Sequence, residues 1–557
     1  MPRPDPLSAV VPPARRDALQ ALGRTALAWA LGSLFGPAAA RGPVLQRWPG
    51  GDYPFTLGVA SGEPLPGSVV LWTRLLPNPR DLRPALPPQP IEVRWELAED
   101  ARFSRGLRSG LALALPEHAH SVHVEVADLK PGRRYHYRFI AGGHASEVGR
   151  TRTAPAEDAD VQRLRLALAS CQHYEHGRYA VHREIAQQDL DAVLFVGDYI
   201  YEKSNAHWLH RRHLHPLPAT LDEYRAHHAS YKLDADLRAA HAAHPWILNL
   251  DDHDVQNDYT GDLPGVAGEP VAGFLARRAR AYKAYFEHLP VSPRRAPRGP
   301  HFAIHQHLAW GRLADIWVLD TRQFRSPRAC HDARRPDGRP LLTRQPGFDG
   351  PEGLPHAPDW LYCDQVATRR AQTMLGTAQE RWLAAGLARS ERRWKLLAQT
   401  TQISPSGVAT PWGRVIYSDA WDGYPAARQR LLQAIAEPAV PGVVALGGDV
   451  HRSVAANLRL DPDQPDDGRS PIVASEFCCS SLTTRGLSEF QAALVRRSNP
   501  DTLHLRSDER GYALLDIGPR EMTCSFRTTA SPVRADARLH TQARFVVDAR
   551  RPGPQRD

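Results

Sequence analysis

The stretch AVLFVGDYIYE, residues 192–202, decides the fold of this 557-residue chain. Its first five residues are apolar and predict a buried parallel strand, which places Asp198 at the strand's C-terminal end. A carboxylate there can bridge two metal ions, and Tyr201 can turn back to the same point as a phenolate. Because a phenol with a pKa of about 10 ionises at neutral pH only beside strong positive charge, Tyr201 indicates a cation such as ferric iron. In the alternative interpretation, Gly197 and Asp198 merely end a strand and Tyr201 packs against a helix.

The composition indicates a globular protein of two or more domains, since the chain is long and 42% hydrophobic. The net charge of +9 is spread among acidic residues. No run of Lys and Arg alternates with aromatic residues, so we expect no nucleic-acid-specific binding. Six cysteines exclude a disulfide-built scaffold. Cys330 and Cys363 flank a loop rich in proline and glycine, and they can pair in an oxidising compartment.

The N-terminal residues 1–41 are typical of a twin-arginine signal peptide. Arg15 and Arg16 precede an apolar segment at 18–35, and small residues at 37–40 suit cleavage. A surface amphipathic helix is the alternative. The signal predicts export to the periplasm or the extracellular space, with the twin-arginine export machinery as a partner. No later segment has the roughly 20 apolar residues that span a bilayer, so we expect no stable membrane insertion.

The strand and helix patterns predict two folded domains. Residues 53–153 alternate as in an antiparallel β-sandwich of fibronectin or immunoglobulin type. Residues 162–530 contain apolar runs separated by helical segments, the pattern of an α/β or layered α+β catalytic domain. Residues 531–557 are expected to form a C-terminal strand and a flexible tail. The histidine-rich stretch 207–215 is interpreted as a solvated loop and left out of the site.

Polar residues follow the predicted strands of the second domain, where core packing does not call for them. Because ligands bind at the C-terminal edge of such sheets, we expect these side chains to converge. Together they offer thiolate, phenolate, imidazole, carboxylate and amide ligands: Cys171, Asp198, Tyr201, Asp251, Asp252, Asn257, Asp449 and His451.

This ligand set is asymmetric. Thiolate, phenolate and imidazole favour ferric iron, whereas carboxylates and the Asn257 amide favour calcium or magnesium. Metals so arranged can deprotonate a bound water and neutralise charge on a phosphate, which suits phosphoester hydrolysis. Each residue has an ordinary alternative. Cys171 can be a small buried hydrophobe, His451 can cap a turn, and Asp251 and Asp252 can be helix N-caps.

The ordered motifs resemble the alkaline phosphatase D family of calcineurin-like metallophosphoesterases, from about Phe55 to Cys524. The matching stretches are FTLGVASGEP (55–64), LWTR (71–74), ASCQ (169–172), GDYIYE (197–202), DDHDV (251–255), LDTRQFR (319–325), WKLLAQ (394–399), WDGYP (421–425), GDVH (448–451) and SEF (475–477). The resemblance implies an N-terminal β-sandwich and a metallophosphatase core. It also implies one ferric ion, held partly by a cysteine and a tyrosine, with one or two calcium ions beside it.

Carried over to this chain, the resemblance assigns roles to individual residues. It places Cys171, Asp198, Tyr201 and His451 around iron, and Asp198, Asp252, Asn257 and Asp449 toward the divalent ions. The catalytic residues it implies are Arg322, Asn257 and His253, with Arg322 as the phosphate clamp. The alternative for Arg322 is a structural salt bridge with Asp320. Asp254 stands where the family often has glutamate.

Three functions remain open from the sequence. The first is an exported phosphatase that hydrolyses small-molecule or polymeric phosphomonoesters and phosphodiesters by a metal-activated hydroxide. The second is a dedicated phosphodiesterase, or a phospholipase D-like enzyme, acting on teichoic acid or lipid headgroups. The third is a secreted binding protein that kept the fold and lost catalysis, although every ligand type that the mechanism needs is present.

Overall fold

The computed structural model describes residues 47–84, 86–204, 209–265, 269–328, 360–362, 370–411, 413–462 and 470–557. The predicted signal segment and the Cys330–Cys363 pair lie outside these residues. Among the described residues, no helix combines the length and the apolar character needed to cross a bilayer.

The N-terminal part of the described chain is built of strands: β1 (Val59–Gly62), β2 (Val69–Arg74), β3 (Ile91–Ala98), β4 (Arg108–Ala114), β5 (Ser121–Val126), β6 (Arg134–Ala141), β7 (His144–Ala145) and β8 (Gly149–Arg152). Several of these strands have one face toward a core, and apolar and polar residues alternate along them. The strand β6, for example, alternates between buried and more exposed positions along its length.

The remainder alternates strands with helices: β9 (Leu164–Ala169), α1 (Ala180–Gln187), β10 (Ala192–Val196), α2 (Leu221–Tyr231), α3 (Ala235–Ala243), β11 (Pro245–Asn249), α4 (Val271–His288), β12 (Gln306–Trp310), β13 (Ala314–Val318), β14 (Trp360–Tyr362), α5 (Thr377–Arg389), β15 (Trp394–Ala398), β16 (Val408–Thr410), β17 (Gly413–Tyr417), α6 (Pro425–Ala436), β18 (Val443–Gly447), β19 (Ser453–Arg459), β20 (Ile472–Cys478), α7 (Glu489–Arg497), β21 (Thr502–Arg506), β22 (Arg510–Ile517), β23 (Glu521–Thr529), β24 (His540–Asp548) and β25 (Arg551–Arg556).

Two large mixed sheets form the centre of the molecule. One has ten strands in the order β25-β24-β23-β22-β9-β10-β11-β1-β2-β5, and the other has seven in the order β12-β13-β15-β18-β20-β19-β21. Neighbouring strands are parallel from β9 to β1 in the first sheet and from β13 to β20 in the second. These parallel strands carry apolar runs because both of their faces are covered.

The core lies between the two sheets, and helices cover their outer faces. Leu166 and Leu194 of the first sheet share one buried cluster with Leu396 and Leu446 of the second. The alternate residues of β10 face a second cluster that includes side chains of α1, α2, α3 and α4. A third cluster packs α5 and α6 on the seven-stranded sheet. The resulting four layers place the ends of the parallel strands at one edge.

The N-terminal strands are divided between two sheets. The strands β3, β4, β6, β7 and β8 form a separate five-stranded sheet, whereas β1, β2 and β5 extend the ten-stranded sheet through pairing of β1 with β11. Side chains from both sheets share one apolar cluster. Residues 53–153 are thus joined to the catalytic part by backbone hydrogen bonds as well as by sequence.

The C-terminal segment differs from the expected strand and flexible tail. Residues 531–557 contain two strands, β24 and β25, at the edge of the ten-stranded sheet. Burial holds this segment in place, since Phe545 and Val547 of β24 pack into the core between the sheets. The polar composition of this segment reflects the exposed residues that alternate with them.

Candidate metal centre

The candidate centre forms where parallel strands of both sheets end. The strands β9, β10 and β11 belong to the ten-stranded sheet, and β18 belongs to the seven-stranded sheet. The polar residues that follow them are Cys171 after β9, Asp198 and Tyr201 after β10, Asp251, Asp252 and His253 after β11, and Asp449 and His451 after β18. The structure therefore brings strand-end residues that are distant in sequence to one edge, as expected for such sheets.

The backbone of this edge turns sharply. Cys171, Asp198 and Asp449 have φ angles of 60°, 57° and 58°, in the left-handed region that non-glycine residues adopt infrequently. Gly197 has a φ of 107°, and a Cβ on it would lie 2.4 Å from the Cβ of Asp251. Glycine therefore lets the β10 and β11 loops approach each other. Strained backbone of this kind clusters at functional sites.

The first ligand group contains the residues expected around iron. Ligand atoms of Cys171, Asp198 and His451 lie within 4.8 Å of one another. The Tyr201 hydroxyl donates to Asp198 Oδ2 at 2.7 Å and lies 3.2 Å from His451 Nε2. Thr484 Oγ1 donates to the same hydroxyl at 2.9 Å. A thiol, a phenol, an imidazole and a carboxylate thus meet, and this donor set fits ferric iron.

These groups are buried and favour a cation between them. Burial raises the pKa of the Cys171 thiol well above its usual value, and the Asp198 carboxylate raises it further. Burial and the same carboxylate raise the pKa of the Tyr201 phenol. Both side chains therefore keep their protons in a cation-free site. A multivalent cation reverses the balance, because it stabilises thiolate and phenolate directly.

A second set of ligand atoms is mainly carboxylate. Asp198, Asp252 and His253 form one close group, and Asp251, Asp252 and Asp449 form another. Burial, followed by repulsion from Asp252 and Asp251, raises the pKa of Asp198. Asp251 Oδ2 has no hydrogen-bond partner among the described residues. Buried carboxylates so close together call for positive charge, and their oxygen atoms fit hard divalent cations. Asp198 belongs to both sets.

Arg322 supplies part of that positive charge. Its side chain is 1% exposed. Nε donates to Asp251 Oδ1, Nη1 donates to Asp419 Oδ2 at 2.7 Å, and Nη2 lies 3.2 Å from Asp252 Oδ1. Asp320 contacts it differently, since Asp320 Oδ1 accepts the backbone N–H of Arg322 at 2.9 Å. The guanidinium therefore pairs with the carboxylate groups of the centre.

His253 and Asn257 lie beside this centre and are held by Glu202. His253 Nδ1 is 2.7 Å from Glu202 Oε2, and the His253 ring packs on the Tyr201 ring with centroids 4.2 Å apart. The Asn257 backbone N–H donates to Glu202 Oε1 at 2.8 Å. The Asn257 amide oxygen accepts a hydrogen bond from Lys203 Nζ. Glu202 thus orients one nitrogen ligand and one loop of the centre.

Sequence patterns did not identify several residues that contact the centre. The most connected is Asp254, whose carboxylate accepts four backbone N–H groups. Oδ2 binds the N–H groups of Asp198 at 3.1 Å and Asp251 at 3.0 Å, and Oδ1 binds those of Tyr199 at 2.9 Å and Ile200 at 3.2 Å. Burial raises the pKa of Asp254 to about 7, and three of these N–H bonds oppose the rise. Its position within the DDHDV motif was the sequence signal that could have identified it.

The other missed residues act on ligands or on Arg322. Thr401 Oγ1 donates to Asp449 Oδ2 at 2.6 Å. Asp419 pairs with Arg325 as well as with Arg322. Asp419 lies two residues before the WDGYP motif, which was a weak signal. Thr401 and Thr484 carry no sequence pattern that distinguishes them from other threonines.

Comparisons with known proteins show what this chain is similar to. A family model described as PhoD-like phosphatase matches residues 166–526, and one described as the N-terminal domain of PhoD-like phosphatase matches residues 39–155. Alkaline phosphatase D of Bacillus subtilis (strain 168) is 38% identical over 502 residues, which cover 89% of this chain and 81% of that protein.

Solved structures give the same result. A structure of PhoD shares 37% identity, covers 91% of this chain and 92% of its own, and has a TM-score of 0.82. Purple acid phosphatase PPD1 from yellow lupin (Lupinus luteus) seeds covers 89% of this chain and 74% of its own, with a TM-score of 0.51. At 11% identity the lupin enzyme shows a shared fold alone. The fold is therefore of the metallophosphatase kind.

The bonds of Asp254 generate a first prediction. In an Asp254→Asn variant, an amide NH₂ replaces one carboxylate oxygen and leaves two backbone N–H groups without an acceptor. At ~1–3 kcal/mol for each of the two unsatisfied groups, we expect the free energy of unfolding to fall by about 2–6 kcal/mol. Denaturant titration followed by circular dichroism measures this loss. The exposed Asp160→Asn is the control, and equal stability of the two variants would contradict the role given to Asp254.

Proposed function

We propose, because this chain belongs to the PhoD-like phosphatase family and is a phosphoric ester hydrolase, that it hydrolyses both phosphomonoesters and phosphodiesters with iron and calcium as cofactors. The observation that carries this proposal is the position of Asp198. Its carboxylate belongs to the group of Cys171 and His451 and also to the group of Asp252 and His253. One carboxylate shared by a soft and a hard ligand set supports an iron–calcium centre.

The protein's own groups organise the reaction. When bound, ferric iron and one or two calcium ions supply the positive charge that ionises water and balances the charge on phosphate. Asp198 sets the spacing of the two ligand sets. Tyr201 is held against Asp198 by its own hydroxyl and by Thr484, so the phenol is placed before any ion binds. Asp251, Asp252 and Asp449 provide oxygen atoms on the other side, and the Asn257 amide oxygen would join them on leaving Lys203 Nζ.

Arg322 is the proposed phosphate clamp. Its Nη2 makes no hydrogen bond among the described residues and lies 3.2 Å from Asp252 Oδ1, whereas Nε and Nη1 are held by Asp251 and Asp419. Nη2 is therefore the donor that we assign to a phosphate oxygen, with the other two nitrogens fixing the plane of the guanidinium. An arginine already held in place loses little entropy when it binds, which favours this use.

His253 is the proposed proton-exchanging group. A carboxylate accepts only, so the contact of His253 Nδ1 with Glu202 places the proton on Nδ1. Nε2 then carries the lone pair that can bind an ion or take a proton from the reacting groups. Residues 53–153 are proposed to pack and position the catalytic residues 162–530 without contributing chemistry, a role that the pairing of β1 with β11 supports.

The iron assignment predicts a spectroscopic change. In Tyr201→Phe the visible absorption of a ferric phenolate should disappear, because the substitution removes the coordinating oxygen. We also expect iron content to fall. Tyr199→Phe is the matched control, since Tyr199 is also buried and its hydroxyl instead contacts His241 at 2.8 Å. Elemental analysis and a visible spectrum measure both effects. A band that persists unchanged in Tyr201→Phe would remove Tyr201 from the iron site.

The clamp predicts a kinetic change. Arg322→Lys should lower kcat/KM about 10²–10³-fold for a nitrophenyl phosphate monoester and for the matching diester, because lysine cannot present the fixed planar donor. Metal content should stay at the wild-type level. Arg428→Lys is the control and should leave kcat/KM near the wild-type value, because the buried Arg428 pairs with Asp422, which belongs to none of the ligand groups.

Two results would change this assignment. If metal content falls with activity in Arg322→Lys, the arginine orders the carboxylates and does not clamp phosphate. If the wild-type protein turns over the diester in strong excess over the monoester, the dedicated phosphodiesterase is the better function.

Export is part of the proposal and rests on residues outside the described part of the chain. Arg15 and Arg16, followed by the apolar segment 18–35, support a twin-arginine signal and a periplasmic or extracellular location. Export of a folded protein suits an enzyme whose metals are loaded first.

The signal predicts a transport defect. When residues 1–41 are fused to a folded reporter, substitution of both Arg15 and Arg16 by lysine should keep the reporter in the cytoplasm. Arg24→Lys is the control and should leave export intact. Cell fractionation measures the result, and unchanged export of the double variant would show that the arginine pair is not read.

A further inference from the structure

We propose that His173, Glu175 and His213 form a separate binding site for a divalent transition metal, with zinc as the best-matched ion. Ligand atoms of these three residues lie within 4.8 Å of one another. None of them belongs to the ligand groups of the phosphatase centre. His173 and Glu175 flank the start of a 3-10 turn at Tyr174–His176, and His213 comes from the loop that follows β10.

Glu175 is a buried carboxylate that lacks a strong cationic partner in the described part of the chain. Its side chain is 4% exposed. It accepts hydrogen bonds from Ser204 Oγ at 2.5 Å and from the backbone N–H of His213 at 3.1 Å. Among the described residues, the one basic group within ion-pair distance is His213, with Nε2 3.9 Å from Glu175 Oε2. Buried carboxylates are normally paired with a cation or bound to a metal.

A chain of hydrogen bonds fixes which nitrogen of the neutral His213 imidazole carries the proton. His227 Nε2 lies 2.7 Å from the Tyr201 carbonyl oxygen, which accepts only, so His227 carries its proton on Nε2. His227 Nδ1 is then an acceptor, and His213 Nδ1, 3.4 Å away, donates to it. His213 Nε2 is left with a lone pair and, within the described ranges, no hydrogen-bond partner.

This arrangement is the one that metal-binding histidines use. One ring nitrogen donates to an acceptor, which sets the tautomer and directs the other nitrogen at the metal. The His213 side chain is 4% exposed, so its free Nε2 is not satisfied by bulk water. A lone pair on His213 and a carboxylate oxygen of Glu175 face each other across 3.9 Å. A cation placed between them converts repulsion into two bonds.

His173 completes the group, and its binding to a metal breaks only one hydrogen bond. Its Nδ1 accepts the backbone N–H of Glu175 at 3.2 Å, and its Nε2 has no partner among the residues that the structure describes. Binding of a metal through Nε2 requires the proton to move to Nδ1, which gives up this one backbone hydrogen bond. The ring is held in plane by stacking on His176, with centroids 3.8 Å apart, and by contact with the Tyr201 ring at 4.5 Å.

Two imidazoles and one carboxylate are ligands that zinc prefers. Ligands about 2.0–2.1 Å from a tetrahedral zinc lie about 3.4 Å apart, so the 3.9 Å separation needs only a small shift. Three protein ligands leave the fourth position to solvent. The bound ion would fasten residues 209–213 to the turn beside Tyr201, where the His210 N–H already donates to the Glu175 carbonyl oxygen at 2.9 Å.

The test uses the full-length protein carrying its native metals. Zinc is titrated against a competing chelator, and zinc, iron and calcium are counted per chain after gel filtration. Wild type is compared with His213→Gln, with the nearly isosteric Glu175→Gln, and with His210→Gln as the control, since His210 is an exposed histidine of the same loop. Crystals of the zinc-loaded wild type are measured at the zinc absorption edge.

We expect wild type and His210→Gln to retain one zinc more than His213→Gln and Glu175→Gln. Zinc affinity at this site should fall at least about 100-fold in the latter two. The anomalous peak should lie between His173, Glu175 and His213. Iron content and phosphatase turnover should not change in His213→Gln, so failure of this site and failure of the proposed function are distinguishable.

The proposal is overturned if His213→Gln retains as much zinc as wild type, if wild type retains no additional zinc, or if the anomalous peak lies only among Cys171, Asp198 and His451. If His213→Gln does not fold, as judged by circular dichroism, Glu175→Gln and the wild-type anomalous peak decide the question.

Discussion

The geometry of this protein depends on one buried carboxylate that ties two loops together. Asp254 accepts the N–H groups of Asp198, Tyr199 and Ile200 after β10 and of Asp251 after β11. These N–H groups lie at strand ends and turns, where no neighbouring strand pairs with them. A buried N–H without an acceptor costs ~1–3 kcal/mol, so the loops adopt the shape that satisfies all of them. That shape points Asp198 and Asp251 into the centre.

The electrostatics of the centre follow from this packing. Buried carboxylates that face one another raise each other's pKa, and a cation beside them relieves the repulsion. The chain supplies such a cation in Arg322, which is held by Asp251 and Asp419. Asp251 Oδ2, which has no hydrogen-bond partner among the described residues, and the neighbouring carboxylate oxygens fit metal ions, together with the thiol and phenol on the other side of Asp198. The same reasoning applies to Glu175, where the chain supplies no strong cation within ion-pair distance among the described residues.

Much of the fold and part of the site could be predicted from the chain. The apolar run 192–196 forms β10, and the polar residues after β9, β10, β11 and β18 meet at one edge, because parallel strands bring their C-terminal ends together. The family resemblance is confirmed by the comparisons. The metal ligands remain a prediction. Residues 207–215 show the opposite case, since His213, expected in a solvated loop, has a buried side chain.

The sequence by itself determined the period of the strands, the polar residues at their ends and hence the edge that carries the chemistry. These are local properties, set by the alternation of side chains and by the need to bury apolar runs. Only the tertiary structure decided that β1 joins the catalytic sheet, that Arg322 pairs with Asp419 and not with the Asp320 carboxylate, and that Asp254 binds N–H groups of two loops. Such contacts join residues far apart in the chain, and no local pattern specifies which buried charge meets which partner.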